Sequence, residues 1–236
     1  MSNRIAFPNC VDCNMRRGSI FCNLSTTEVE KLDYLKDASL YRKGQVVFQE
    51  GTHPKGIYCV FSGKVKIFKL GPGYKEQIVR LARSGDVLGY RSLLCHDRYR
   101  ASAAAIEDSV ICSIPHEQFF KILDDNALLS NNLMKLLSQD LAIAEKKMVD
   151  MMQKPVRERM AEGLILLKEM FGFTEDGKTL NITMTREDIA SFIGTTAETA
   201  IRTLSDFNSE RIICLDKKEI RIENFARLLH ESHIND

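Results

Sequence analysis

Between residues 185 and 208 (TREDIASFIGTTAETAIRTLSDFN) the apolar positions fall into two short helical stripes separated by a turn. Ile189, Ala190 and Ile193 make the first stripe, and Ala200, Thr203, Leu204 and Phe207 make the second. Thr185 with Asp188 three residues on is a helix start signal, and Gly194 supplies the left-handed residue that ends the helix. Thr196 is placed to cap the second helix. Glu198 and Arg202 then stand one turn apart on a face free of core duty. Two helices at this spacing form a helix-turn-helix, which reads DNA in many proteins and is simple packing in other all-α chains.

Upstream, residues 126–153 contain no glycine or proline and predict one long helix. Met134, Leu137, Leu141, Ala144, Met148 and Met151 recur along it at alternating intervals of three and four, the seam by which two helices pack as a coiled coil. Leu129, Leu133 and Leu136 form a second stripe on another face. Two apolar faces predict one contact within the chain and one with a second copy; a helix buried in a monomer is the alternative. Pro155 stops the helix, because it lacks a backbone N–H and clashes with the preceding turn. Val156, Met160, Leu164, Leu167 and Phe171 start a fresh amphipathic helix, residues 180–184 read as a short strand, and residues 212–215 and 219–222 bracket a hairpin.

Residues 40–115 alternate differently. Strand-type runs at 45–48, 56–61, 64–68, 77–81 and 109–114 are broken by glycines at 44, 51, 56, 63, 71, 73, 85 and 89. Turns this regular predict a small β-barrel or sandwich. A cupin metalloenzyme shares that architecture but needs clustered histidines; His53, His96 and His116 are scattered without a His-x-His pair. The expected organisation is a leader (1–24), a β-rich domain (25–125), a long helix (126–154) and a C-terminal helical domain (155–236).

Composition changes this picture little. The chain of 236 residues is 44% apolar and 28% charged, ordinary for a globular protein, with a net charge of +1 that identifies no partner. From residue 156 onward there are 11 Lys/Arg against 15 Asp/Glu, a balance of −4, so any DNA contact there must be local. No apolar run reaches the length of a membrane span, and the first residues lack a signal peptide's apolar core, so the expected location is the cytoplasm, with no membrane partner. Seven cysteines in that compartment point to thiols or ligands rather than a disulfide framework. Cys10, Cys13 and Cys22 form C-x2-C-x8-C, in which the first pair can turn two thiolates towards one metal. A fourth partner must come from Cys59, Cys95, Cys112 or Cys214; zinc, an iron–sulfur cluster and no metal at all are open by pattern alone.

Taken together, the cysteine leader, glycine-punctuated β-region, long helix and terminal helix-turn-helix resemble the Crp/Fnr family of bacterial transcription regulators. RSGDVLGYRSLL (83–94), SVICSIP (109–115) and MTREDIASFIGTTAETAIRTL (184–204) carry the resemblance most specifically. It implies an α+β fold: an N-terminal cyclic-nucleotide-binding-type β-roll (a double-stranded jelly roll), a long dimerisation helix and a C-terminal winged helix-turn-helix. It further implies a homodimer on palindromic double-stranded DNA, with RNA polymerase as a partner. Arg202 matches the family's guanine-reading arginine and Glu198 its acidic neighbour, which accepts from cytosine N4. Ala197 stands where cyclic-AMP-responsive members carry another arginine, and Ile201 where Fnr proper carries serine. Thr185, Arg186, Thr196, Thr199, Lys217 and Lys218 complete the expected DNA face.

For the signal, the resemblance divides. Arg100 matches the phosphate-binding arginine eleven residues after Gly89, but Tyr90 replaces the ribose-binding glutamate and Ala101 the phosphate-contacting serine, so cyclic AMP is not expected. Cys10 and Cys13 match the first two Fnr cluster ligands, and Cys112 the distant fourth. Cys22 takes the third place at a gap of eight residues instead of five. The reading is an iron–sulfur or other metal site answering to oxygen, nitric oxide or redox state. Its alternatives are a regulator with another small effector or none, and a β-roll binding module or metalloenzyme.

Overall fold

The structure, a computed structural model, describes residues 8–233. It divides into two compact units: one runs to Lys69 and resumes at Arg80–Ala142, and the other comprises Leu70–Val79 and the chain described from Ile143 onward.

In the first unit, Ser25 caps α1 (Thr26–Leu35), with Glu28 reaching back to the Ser25 amide at 2.7 Å. There follow β1 (Asp37–Tyr41), β2 (Val46–Phe48), β3 (Gly56–Ser62), β4 (Lys64–Leu70), β5 (Glu76–Arg83), β6 (Val87–Leu88), α2 (Tyr90–Leu94), β7 (Ser102–Ala105), β8 (Ser109–Pro115), α3 (His116–Asp125) and α4 (Ala127–Gln153), of which β5 up to Val79 and α4 from Ile143 are counted with the second unit. The strands form two four-stranded sheets, ordered β1-β8-β3-β6 and β2-β7-β4-β5, as the jelly-roll expectation requires. Gly63 makes the reversal from β3 to β4 at φ +97°; a side chain there would overlap Ser109, whose hydroxyl accepts from the Lys64 amide at 3.1 Å.

Both faces of the first sheet are covered. Val60, Ile111 and Leu88 face the core between the sheets, with Val65, Ala82 and Ala103. Ile57, Ile114 and Val87 face outward into a second core built with Val29, Leu32, Phe119, Ile122, Leu129 and Leu133. Leu129 and Leu133 thus bury the face of α4 that their spacing predicted, with Leu136 packed beside them.

The second unit holds α5 (Val156–Phe171), α6 (Arg186–Ile193), α7 (Ala197–Ser209), β9 (Ile213–Asp216), β10 (Glu219–Ile222) and α8 (Phe225–Ser232). Its core joins Met160, Leu164 and Ile165 of α5 to Ile189 and Ile193, Leu204 and Phe207, and Leu228. Residues 180–184 correct one expectation. Leu180, Ile182 and Met184 are buried alternately, but the segment is not a strand. Its ladder ends at the bonds Leu180 N–H to Ile220 C=O (2.9 Å) and Ile222 N–H to Lys178 C=O (3.0 Å). Alternation reports which side is buried, and does not by itself supply a neighbouring edge.

Candidate nucleic-acid interface and cysteine cavity

Local chemistry builds the helix-turn-helix as its sequence suggests. The Thr185 hydroxyl accepts from the Asp188 amide (3.0 Å), Gly194 ends α6 at φ +78°, and the Thr196 hydroxyl accepts from the Thr199 amide (3.2 Å). With Ala200, Thr203, Leu204 and Phe207 buried, the opposite side of α7 is set: Glu198, Ile201 and Arg202 are exposed, and Ala197 and Thr199 half-buried beside them. Glu198 is held below the usual carboxylate range by its own amide at the helix start and by the Thr196 hydroxyl, so it is a charged acceptor.

Lys217 and Lys218 form the exposed two-residue turn between β9 and β10, Lys217 in the left-handed region at φ +51°. Arg186 Nη2 donates to the Lys217 carbonyl at 3.0 Å and so fastens this wing to the first turn of α6. Arg157 and Arg227 are committed internally: Arg157 donates to both Glu210 oxygens (3.0 and 2.9 Å) and to Glu231 (2.6 Å), and Arg227 to Glu210 (2.7 Å). The acidic balance of this region therefore includes carboxylates already held by arginines.

Along α4, Met134, Leu141 and Met148 are each more than half exposed and Ala144 is exposed. Leu137 packs partly against the outer core, and Met151 sets its terminal methyl over Gly194.

In the first unit a cavity is lined by Cys10, Cys13, Cys59 and Cys112, with Phe21, Leu32, Ile114, Arg16 and Lys36 among its other walls. The leader is tied down over it: the Cys10 amide donates to Asp33 (2.7 Å), the Cys13 amide to the Cys10 carbonyl (3.4 Å), and Arg16 Nε to the same carbonyl (3.1 Å). Burial pushes the Cys10 thiol up to about 12 and Cys112 to about 11, with Lys36 opposing both. Cys59 is also pushed up by burial, then by Cys112, Cys10 and Cys13, which places all four thiols within electrostatic reach. Four thiols on one cavity wall are donors of the type that an iron–sulfur cluster takes. Among the described residues no group of three His, Cys, Asp or Glu side chains could hold a metal ion directly. The thiols ring a cavity instead of meeting at a point.

The leader pattern also put Cys22 in this set, and the structure places it elsewhere. After a 3₁₀ turn at Asn14–Gly18 the chain buries Ile20 and Phe21, which carries Cys22 past the cavity to the surface. Its sulfur lies 3.7 Å from Asn132 Nδ2, which also donates to the Ile20 carbonyl (3.1 Å). Cys59 was only one of four candidates in the sequence, and cross-strand register sets it opposite Cys112.

The residues that resemble a cyclic-nucleotide site do not assemble one. Arg100 lies on the surface, donating to Asp97 at 2.5 and 2.9 Å. Tyr90 is buried at 1% exposure, its hydroxyl accepting from Arg80 (2.9 Å) and donating to Asp140. Gly89 begins α2 in the left-handed region and Ala101 is half-buried, neither of them offering a side-chain hydrogen bond. This set does not fit a cyclic nucleotide, whose ribose and phosphate need committed partners.

Residues 39–126 match the cyclic nucleotide-binding domain family and residues 158–231 the Crp-like helix-turn-helix domain family. The fumarate and nitrate reduction regulatory protein of Vibrio cholerae is 30% identical over 229 residues, covering 94% of this chain and 89% of that one. The anaerobic regulatory protein of Aggregatibacter actinomycetemcomitans is 27% identical over 235 residues, covering 96% and 89%. Among solved structures, FixK2 from Bradyrhizobium japonicum superposes with a TM-score of 0.74 at 25% identity, over 83% of this chain and 96% of that chain.

Proposed function

Since this chain belongs to the Crp/Fnr family of DNA-binding transcriptional regulators, we propose that it acts as a homodimer on a two-fold DNA site and tunes that binding to redox state through the cysteine cavity. It is a regulator and not an enzyme. The observation that carries the DNA reading is the division of α7: one side is wholly buried, and the other presents a charged acceptor and a guanidinium one turn apart. Arg202 donates two hydrogen bonds to guanine O6 and N7, and Glu198 accepts from a cytosine N4 amine. Arg186, Lys217 and Lys218 supply contacts to phosphates, which position the helix without reading sequence. A second copy across Met134, Leu141 and Met148 doubles the interface and sets the spacing of the half-sites.

For the signal, the support is the set of thiols on one cavity, together with relatives named for anaerobic and nitrate regulation. An iron–sulfur cluster, when bound, supplies oxidant-sensitive chemistry. The residues of this chain do the rest. Cys10 and Cys13 of the leader and Cys112 of β8 would hold the group, and Lys36 and Arg16 on the same wall would offset the charge of the thiolates. Asp33 fixes the backbone at Cys10. The leader packs into the same outer core that seats α4, so a group held by these thiols would couple the leader to that helix. This regulator works in the cytoplasm, where DNA and RNA polymerase are reached directly.

The test is DNA affinity measured on protein purified without oxygen, before and after exposure to air, with iron and acid-labile sulfide determined on the same samples. Tight, sequence-selective binding that falls as iron is lost supports the reading. Air-insensitive binding by an iron-free protein would leave the DNA reading standing and remove the redox one.

A further inference from the structure

We propose that Cys59 of β3 completes the metal-binding thiolate set with Cys10, Cys13 and Cys112, and that Cys22 of the leader takes no part. The inference rests on the cavity holding a metal group, as above, and deepens it by naming the ligands of this chain.

Register is the first argument. Cys59 stands directly opposite Cys112 in the antiparallel β3–β8 pair, and directly opposed residues project from the same face. Two residues along each strand on that face, Ile57 and Ile114 are buried in the outer core, so the two thiols rise from its apolar floor. The second argument is the leader. Its Cys-x-x-Cys turn is pinned above this floor by Asp33 and Arg16, so two thiols come from above and two from below. Third, Cys22 is held away. Reaching the cavity would require extracting Ile20 and Phe21, 7% and 3% exposed, and breaking the Asn132 contacts. Since the four sulfurs surround a space, the arrangement suits a polynuclear cluster that gives each thiolate its own iron. Lys36 and Arg16 on the wall offset the negative charge such a group brings.

The experiment compares full-length wild type, Cys22→Ala, Cys59→Ala and Cys59→Ser, purified without oxygen, for iron, sulfide, zinc and visible absorption. Cys59→Ser keeps the side chain's size, and circular dichroism establishes that each variant is folded. Wild type and Cys22→Ala are expected to carry equal iron and sulfide, while a folded Cys59 variant loses at least about tenfold, since changes even outside the direct ligands cost about 10–100-fold in metal affinity. Zinc bound by wild type and Cys22→Ala but lost with Cys59 would keep this ligand set and overturn the iron–sulfur reading. Full iron in folded Cys59 variants with loss in Cys22→Ala would overturn the proposal and leave the redox reading intact. Wild type without any metal would overturn both.

Discussion

The Tyr90 hydroxyl donates a hydrogen bond to Asp140, so a buried side chain of α2 is bonded to the long helix α4, with Arg80 of β5 donating to the same hydroxyl at 2.9 Å. Burial, with Asp140 beside it, keeps this phenol protonated far above neutral pH, so the bond persists across the working range. Tyr90 is thus part of the scaffold that joins α2 to α4.

Tyr90→Phe removes the hydroxyl and leaves Arg80 and Asp140 at 3.7 Å with one partner fewer each. The expected cost is about 0.5–1.5 kcal/mol of stability, the net value of a typical hydrogen bond, because Arg80 and Asp140 keep some access to water and each other as partners. Urea unfolding of the variant should show an earlier midpoint at unchanged slope. An unaltered midpoint would mean that the hydroxyl contributes nothing, and heat on titrating cyclic AMP into wild type would contradict the reading of the pocket.

Arg202→Ala should remove ~1–3 kcal/mol of discrimination at a single base pair of each half-site, the usual value of a bidentate arginine–guanine contact. Lys218→Ala should instead weaken binding to all sequences alike and lower the salt slope by about 1. Gel shifts over a set of single-base variants separate the two; equal weakening everywhere by Arg202→Ala would remove it from base reading.

Leu141 and Met148 lie exposed on the α4 seam, eight and fifteen residues past Leu133 of the outer core (141 − 133 and 148 − 133). Leu141→Lys sets a charge opposite its own copy at a coiled-coil position, and dimer dissociation should rise by at least about tenfold. Sedimentation equilibrium reads this directly. The monomeric unit should keep its circular dichroism, since Leu129 and Leu133, not Leu141, hold the helix to the core.

Lys147 provides a pH test in the second unit. Its ammonium donates to the Ile78 carbonyl at 2.9 Å and lies 5.1 Å from the Phe192 ring centroid, and burial lowers its pKa from 10.5 to about 8. The folded chain gives up this proton before the unfolded chain does. Between about pH 8 and 10.5 the unfolded state therefore binds more protons, and raising the pH across that window favours folding. Lys147→Met should abolish this contribution, giving a flatter stability profile than wild type over the same range.

How much of this was present in the chain as written can be argued from particular residues. The helix-turn-helix was legible because each of its instructions is local: Thr185, Gly194 and Thr196 act through backbone atoms within four residues of themselves. Periodicity along α4 named a stripe of which Met134, Leu141 and Met148 are exposed, while Leu137 packs on the outer core and Met151 on Gly194. Residues 180–184 misled because alternate burial came without an edge to pair with. Arg186 was read as a DNA contact, and what the fold shows is its guanidinium bracing the wing at Lys217.

The cysteines divide most clearly. Sequence by itself determined that a Cys-x-x-Cys turn precedes a β-rich domain with Cys112 in SVICSIP, because short spacing fixes short-range geometry. Only the tertiary structure decided which thiols share a cavity. Cys59 and Cys112, 53 positions apart (112 − 59), are neighbours through strand register, whereas Cys22, nine after Cys13 (22 − 13), is carried off by the burial of Ile20 and Phe21. Distance along the chain stops predicting distance in space once hydrogen-bonded pairing and core packing set the path.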